Sequence, residues 1–90
     1  MPRPRLCRRV RFCPCANYYK PRGIPLRHLE VENLSREEAE ALRLKDVEGF
    51  DQIDCARKMD TSQSTFQRIL TSARRKVATA LIKGRAIKID

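Results

Sequence analysis

Gln52-Ile53-Asp54-Cys55-Ala56-Arg57-Lys58-Met59-Asp60-Thr61-Ser62-Gln63-Ser64-Thr65-Phe66-Gln67-Arg68-Ile69-Leu70 is the stretch that decides the fold. It reads as two helices joined by a tight turn. Ala56 is small where the helices must approach, Cys55 and Met59 are apolar just before the turn, and Phe66 and Ile69 are apolar just after it. A helix-turn-helix needs that set: room for the crossing, a plug in the angle, and an anchor that turns the second helix's other face outward. The outward face is Gln63, Ser64, Gln67 and Arg68. Such amide, hydroxyl and guanidinium groups read base edges in a major groove, Gln pairing two-point with adenine and Arg with guanine.

On the N-terminal side, Ser35 is followed three residues later by Glu38, the spacing of a capping box, with Leu34 as a staple residue before it. The helix it opens is predicted to run through Ala39, Leu42 and Val47 to Glu48 and to stop at Gly49. A short helix follows over about Asp51–Lys58. The third starts at Ser62 and carries Phe66, Ile69, Leu70, Ala73, Val77, Ala80 and Leu81 at helical spacing until Gly84. The expected interior is Leu42, Leu44, Phe50, Cys55, Ala56, Met59, Phe66, Ile69, Leu70 and Val77.

Outside these helices the chain changes character. Pro14, Pro21, Gly23 and Pro25 cannot sustain a helix, so residues 1–33 are expected to form an irregular arm. Within it Val10-Arg11-Phe12 is a candidate strand, and Ala86-Ile87-Lys88-Ile89 alternates with period two, so the chain ends are expected to pair as a small two-stranded element. The resulting organisation is an arm over 1–33, a helix-turn-helix domain over 34–84, and a short strand or tail over 85–90. The fold class is mainly α, with three helices. At 90 residues there is one core and no room for a layered enzyme with an enclosed pocket.

Charge narrows the partner. Twenty Lys and Arg against eleven Asp and Glu leave +9, which favours a polyanion. The signs are segregated: residues 1–28 hold eight basic and no acidic side chains, residues 29–60 five against ten, and residues 61–90 seven against one. Two basic ends flank an acidic middle, which points to particular segments that face phosphate. Arg3 and Arg5 alternate with prolines, a form that suits a narrow minor groove, and Arg8 and Arg9 extend the basic arm. A solvated basic tail is the alternative for this segment. Ser62, Thr65, Arg74, Arg75 and Lys76 are candidate phosphate contacts, although three successive helical residues cannot all point one way. Tyr18 and Tyr19 either stack on bases or pack the arm onto the helices.

No apolar stretch approaches the roughly 20 residues of a bilayer span. The basic opening is followed by Cys7-Arg8-Arg9 rather than by an apolar block, so a cytoplasmic location and no membrane partner are expected. Cys7, Cys13 and Cys15 are candidate zinc ligands, with Cys55 or His28 as a fourth. Their spacing does not make the two Cys-x₂₋₄-Cys knuckles that structural zinc sites use, so free thiols and no cofactor are expected. Catalytic parts are absent too: one His, no Ser-His-acid set and no phosphate-binding glycine loop, so no enzyme is expected.

Leu34 through Leu44, Phe50 through Met59, Thr61-Ser62-Gln63-Ser64-Thr65-Phe66 and Ala73-Arg74-Arg75-Lys76-Val77 resemble region four of sigma-type transcription factors, the part that binds promoter DNA. The whole chain, with its opening Met1-Pro2-Arg3-Pro4-Arg5, its Tyr19-Lys20-Pro21-Arg22-Gly23-Ile24-Pro25 and its Ser64-Thr65-Phe66-Gln67-Arg68-Ile69-Leu70, resembles a prokaryotic family of small proteins predicted to bind DNA and otherwise uncharacterised. The resemblance implies a sigma-like helix-turn-helix. Asp60 and Thr61 depart from it, because such turns usually carry Gly and an aliphatic there; Asp tolerates a left-handed turn, so the geometry is expected to survive. The expectation is sequence-specific binding of double-stranded DNA in transcriptional regulation, with RNA polymerase or another transcription component as a further partner and a homodimer as an open arrangement. The alternative is a protein-interaction or RNA-binding module on the same helical fold without base readout.

Overall fold

The computed structural model describes residues 16–90. The expected strand at Val10–Phe12, the arginines Arg3, Arg5, Arg8 and Arg9, and the cysteines Cys7, Cys13 and Cys15 lie outside the described residues. Ser35 opens the first helix, α1 (Arg36–Leu42), with both halves of the capping box: its hydroxyl accepts from the Glu38 N–H, and the Glu38 carboxylate accepts from the Ser35 N–H. Leu34 before the cap and Ala39 four residues into the helix are buried in one cluster, as a hydrophobic staple requires.

The continuation of α1 differs from the expectation of one helix to Glu48. From Arg43 to Val47 the backbone widens into a π-helical turn, closed by the Glu48 N–H bonding to the Arg43 carbonyl at 2.8 Å. Such a turn inserts an extra residue and re-aims the side chains beyond it. Here it carries Asp46 to Arg74 of the last helix. Gly49 follows with φ +80°, the left-handed conformation expected at that helix end. Asp51 caps α2 (Gln52–Lys58) by accepting from the Asp54 N–H, and Ser62 caps α3 (Gln63–Lys83) by accepting from the Thr65 N–H. Between them Asp60 sits at φ +58° and the Thr61 N–H returns to the Ala56 carbonyl at 3.0 Å. Gly84, at φ +68°, ends α3.

The chain ends are built differently from the expected two-stranded pairing. Ala86–Ile89 is a strand, β3, but it is the middle of a three-stranded sheet, with β1 (Tyr18–Tyr19) antiparallel on one side and β2 (Val31–Leu34) parallel on the other. Both edges of β3 are thus occupied, by β1 and by β2. The parallel pair β2 and β3 needs a long crossover, and the three helices supply it. Part of the expected irregular arm is therefore sheet, with a 3₁₀ turn at Leu26–His28 between its two strands.

Two apolar clusters hold these parts together. Ala41, Leu44, Cys55, Ala56, Met59, Phe66 and Leu70 pack α1, α2 and α3, with Phe66 wholly buried and Leu42, Phe50 and Ile69 half-buried around them. Leu34, Ala39, Ala73 and Ile89 join α3 to the sheet, with Val77 and Ile87 beside them. The stripe on α3 was expected to include Leu81, and it stops at Ala80: Leu81 is 74 % and Ile82 84 % exposed. Leu81 lies about 100° around the helix from Ala80, so the sheet covers the one and leaves the other outside.

Candidate nucleic-acid interface

The anchors Phe66 and Leu70 fix which side of α3 faces out. At about 100° per residue, Gln67, Thr71, Ser64, Arg75 and Arg68 fall within an arc of about 100° on the opposite side, and Gln63 lies about 40° beyond it. All six are exposed. From Gln63 to Arg75 the stripe runs about 18 Å along the helix. Its middle is a shallow groove of 430 Å³ lined by Gln67, Arg68, Thr71, Ser72 and Arg75. The four residues expected to read bases, Gln63, Ser64, Gln67 and Arg68, are thus on one face, and Thr71 is a fifth polar member that the sequence reading passed over. A signal for it existed, since Thr71 lies one helical turn beyond Gln67, whose amide donates to its hydroxyl at 3.4 Å.

Ser62 and Thr65 are engaged in the cap: the Ser62 hydroxyl contacts the Thr65 hydroxyl at 2.9 Å as well as its N–H, and Ser64 lies 3.3 Å away. Gln52 of α2 reaches the Gln63 carbonyl at 3.5 Å, which ties the starts of the two helices together.

Arg74, Arg75 and Lys76 diverge. Arg74 forms a two-point pair with Asp46 at 2.6 and 3.1 Å, and that hydrogen bonding holds the Asp46 carboxyl below its ordinary range. Lys76 reaches the other way, to the Glu38 carboxylate at 2.9 Å and the Asn33 carbonyl at 2.7 Å. Arg75 projects between them and makes no ion pair among the described residues, and the same is true of Arg68. Elsewhere Arg43 pairs with Glu40 and Glu48, Arg57 with Asp54, and Arg85 with Glu30 and Glu32, while Arg22, Arg27 and Arg36 make no ion pair among the described residues and Arg36 donates to the backbone oxygen of Asp90. Lys58 lies 4.6 Å over the Phe50 ring, at the mouth of a 470 Å³ cleft between the end of α1 and α2. Arg74 and Lys76 therefore serve internal carboxylates, and the outward face of α3 keeps two uncommitted guanidiniums.

Tyr18 and Tyr19 are exposed on β1, paired with Lys88 and Ile87 of β3. Cys55 is fully buried, and burial pushes its thiol above the ordinary range, which makes it a core group rather than a ligand. Among the described residues no group of three or more His, Cys, Asp or Glu is placed to hold a metal ion, and no helix is long and apolar enough to cross a membrane.

A family model described as "protein of unknown function DUF134" matches residues 1–90. A UPF0251 protein of Desulforudis audaxviator is 60 % identical over all 90 residues, which cover 59 % of that relative. One from Moorella thermoacetica is 57 % identical with 60 % of its length covered, and one from Dehalococcoides mccartyi is 59 % identical with 77 % covered. The chain thus spans about three fifths of the length of the first two relatives. No solved structure matches. With the match running over every residue, the chain belongs to the DUF134 family, whose members include the UPF0251 proteins.

Proposed function

We propose that this chain binds double-stranded DNA sequence-specifically, laying α3 in the major groove, and that it acts in transcriptional regulation in the cytoplasm. The observation that carries this reading is the sorting of the cations. Along α3, Arg74 and Lys76 are matched to carboxylates, whereas Arg68 and Arg75 stand without an ion pair on the face that also presents Gln63, Ser64, Gln67 and Thr71. The two α3 guanidiniums left without an ion pair are thus the ones that lie beside a row of amides and hydroxyls. Base edges and phosphates are the ligands that such a row matches. The resemblance of Leu34 to Leu81 to region four of sigma factors points the same way.

The residues take different roles. Gln67 and Arg68 lie in the first two turns, where a recognition helix meets base edges, and Arg75 lies where the helix leaves the groove and passes the backbone. Arg68→Ala should weaken a duplex selected from a random pool by about 1–3 kcal/mol while changing binding to random duplex little. Arg75→Ala should weaken all duplexes alike and lower the salt slope by about one. Arg74→Ala, whose guanidinium is held by Asp46, should do neither. Titration of labelled duplexes at several salt concentrations separates these outcomes. Equal displacement by random duplex, structured RNA and the selected site would instead favour a module without base readout.

A further inference from the structure

We infer that Thr71 is a positioning residue that fixes Gln67 to read an adenine. The inference rests on the DNA-binding reading above and goes beyond it by naming one base and the residue that sets its recognition. Of the two glutamines on the outward face of α3, Gln67 is the one whose side-chain amide is held: its N–H donates to the Thr71 hydroxyl at 3.4 Å, and the side chain of Gln63 makes no such bond among the described residues. An amide has two N–H donors and one carbonyl oxygen. With one donor given to Thr71, the second N–H and the oxygen remain for a ligand.

That donor and acceptor pair matches one base in the major groove. Adenine presents N7, an acceptor, beside its N6 amino group, a donor, and so takes both groups of the amide. Guanine presents two acceptors, N7 and O6, which leaves the carbonyl oxygen of Gln67 opposed. A free glutamine can turn its amide over and accept other partners. In the arrangement seen here the Thr71 hydroxyl accepts, so Gln67 presents N–H beside oxygen. Turned over, with the hydroxyl donating to its oxygen, the amide would present two N–H groups and suit guanine, so a guanine preference at this position would overturn the inference. Arg68 is adjacent, without an ion-pair partner, and lines the same groove as Gln67, Thr71 and Arg75. The neighbouring base pair is therefore the one offered to a guanidinium, whose ligand is guanine.

The test uses the full chain and a duplex site selected from a random pool, with the Gln67-dependent position located by Gln67→Ala. At that position adenine is replaced by guanine and, separately, by 7-deazaadenine, which lacks N7. The wild type should prefer adenine by about tenfold or more and lose most of that preference with the deaza base. Thr71→Val keeps the shape and the β-branch but removes the acceptor, and should cut the preference to a few-fold, weakening the selected duplex more than random duplex, with helicity unchanged. Thr71→Ser restores the hydroxyl and should restore the preference. If Thr71→Val keeps the full preference, or weakens random duplex as much as the selected one, Thr71 does not position Gln67 and the inference falls while DNA binding stands. A wild type with no preference among duplexes would overturn the DNA-reading proposal and this inference together.

Discussion

Phe66→Ala should destabilise the chain by about 3–5 kcal/mol, the largest loss expected from any single side chain here. Phe66 is 0 % exposed and lies where α1, α2 and α3 meet, in contact with the cluster of Leu44, Cys55, Met59 and Leu70. The ring is large, and its neighbours come from three helices that are also tied to the sheet, so they cannot collapse into the void. A domain of this length has roughly 5–13 kcal/mol in total, so the variant should unfold roughly 15–40 °C lower and, at the small end of that stability, be partly unfolded at room temperature. Thermal unfolding followed by circular dichroism reads the effect. Ile82→Ala provides the contrast: the side chain is 84 % exposed and its loss should cost no more than about 0.5 kcal/mol. Similar costs for the two variants would mean that the turn between α2 and α3 is not built on Phe66.

The helices were legible because their signals are local. Ser35 with Glu38, Asp51, Ser62 and Gly84 mark ends within four residues of the groups they satisfy, and Phe66, Leu70, Ala73 and Ala80 repeat at a spacing that only a helix turns into one face. What escaped is what depends on residues far apart in sequence. The antiparallel pairing of Tyr18 and Tyr19 with Lys88 and Ile87 joins opposite ends of the chain, and two residues are too short for a period-two pattern to register. The π-helical turn escaped because Arg43 to Val47 is a normal helical sequence; what distinguishes it is Asp46 reaching Arg74, 28 residues on.

The candidate surface divides in the same way. Its outward face followed from knowing which residues are buried, so Gln63, Ser64, Gln67 and Arg68 could be named from spacing alone. Counting charges could not show that Arg74 and Lys76 are met by Asp46 and Glu38 while Arg75 between them is not. For a basic protein the partner of each cation decides whether it is available to phosphate, and that partner is set by tertiary structure.

Glu38→Ala should cost about 2–4 kcal/mol and should also change how the protein responds to acid. The carboxylate is 8 % exposed and serves three elements at once: it accepts from the Ser35 N–H at the start of α1, from the Ser72 hydroxyl of α3 at 2.6 Å, and from Lys76 of α3, which also bonds the Asn33 carbonyl of β2. Its removal leaves an orphaned cap donor, a hydroxyl and an ammonium close to the core. Burial by itself would raise the Glu38 carboxyl, but the hydrogen bonds from Ser72, the Ser35 backbone and Lys76, with the Lys76 charge, outweigh burial and hold it below its ordinary value of 4.5. A carboxyl depressed in the folded state binds its proton less readily there than in the unfolded chain, so its contribution is complete above that ordinary value and is withdrawn as pH falls below it. Urea unfolding of the wild type and of Glu38→Gln from neutral pH to about pH 3 tests this, because the glutamine cannot titrate. The Asp46 carboxyl is depressed in both proteins and cancels in the difference. The wild type should lose more stability than Glu38→Gln as the solution is acidified, and parallel curves would show that the Glu38 carboxylate is not what couples α1 to α3.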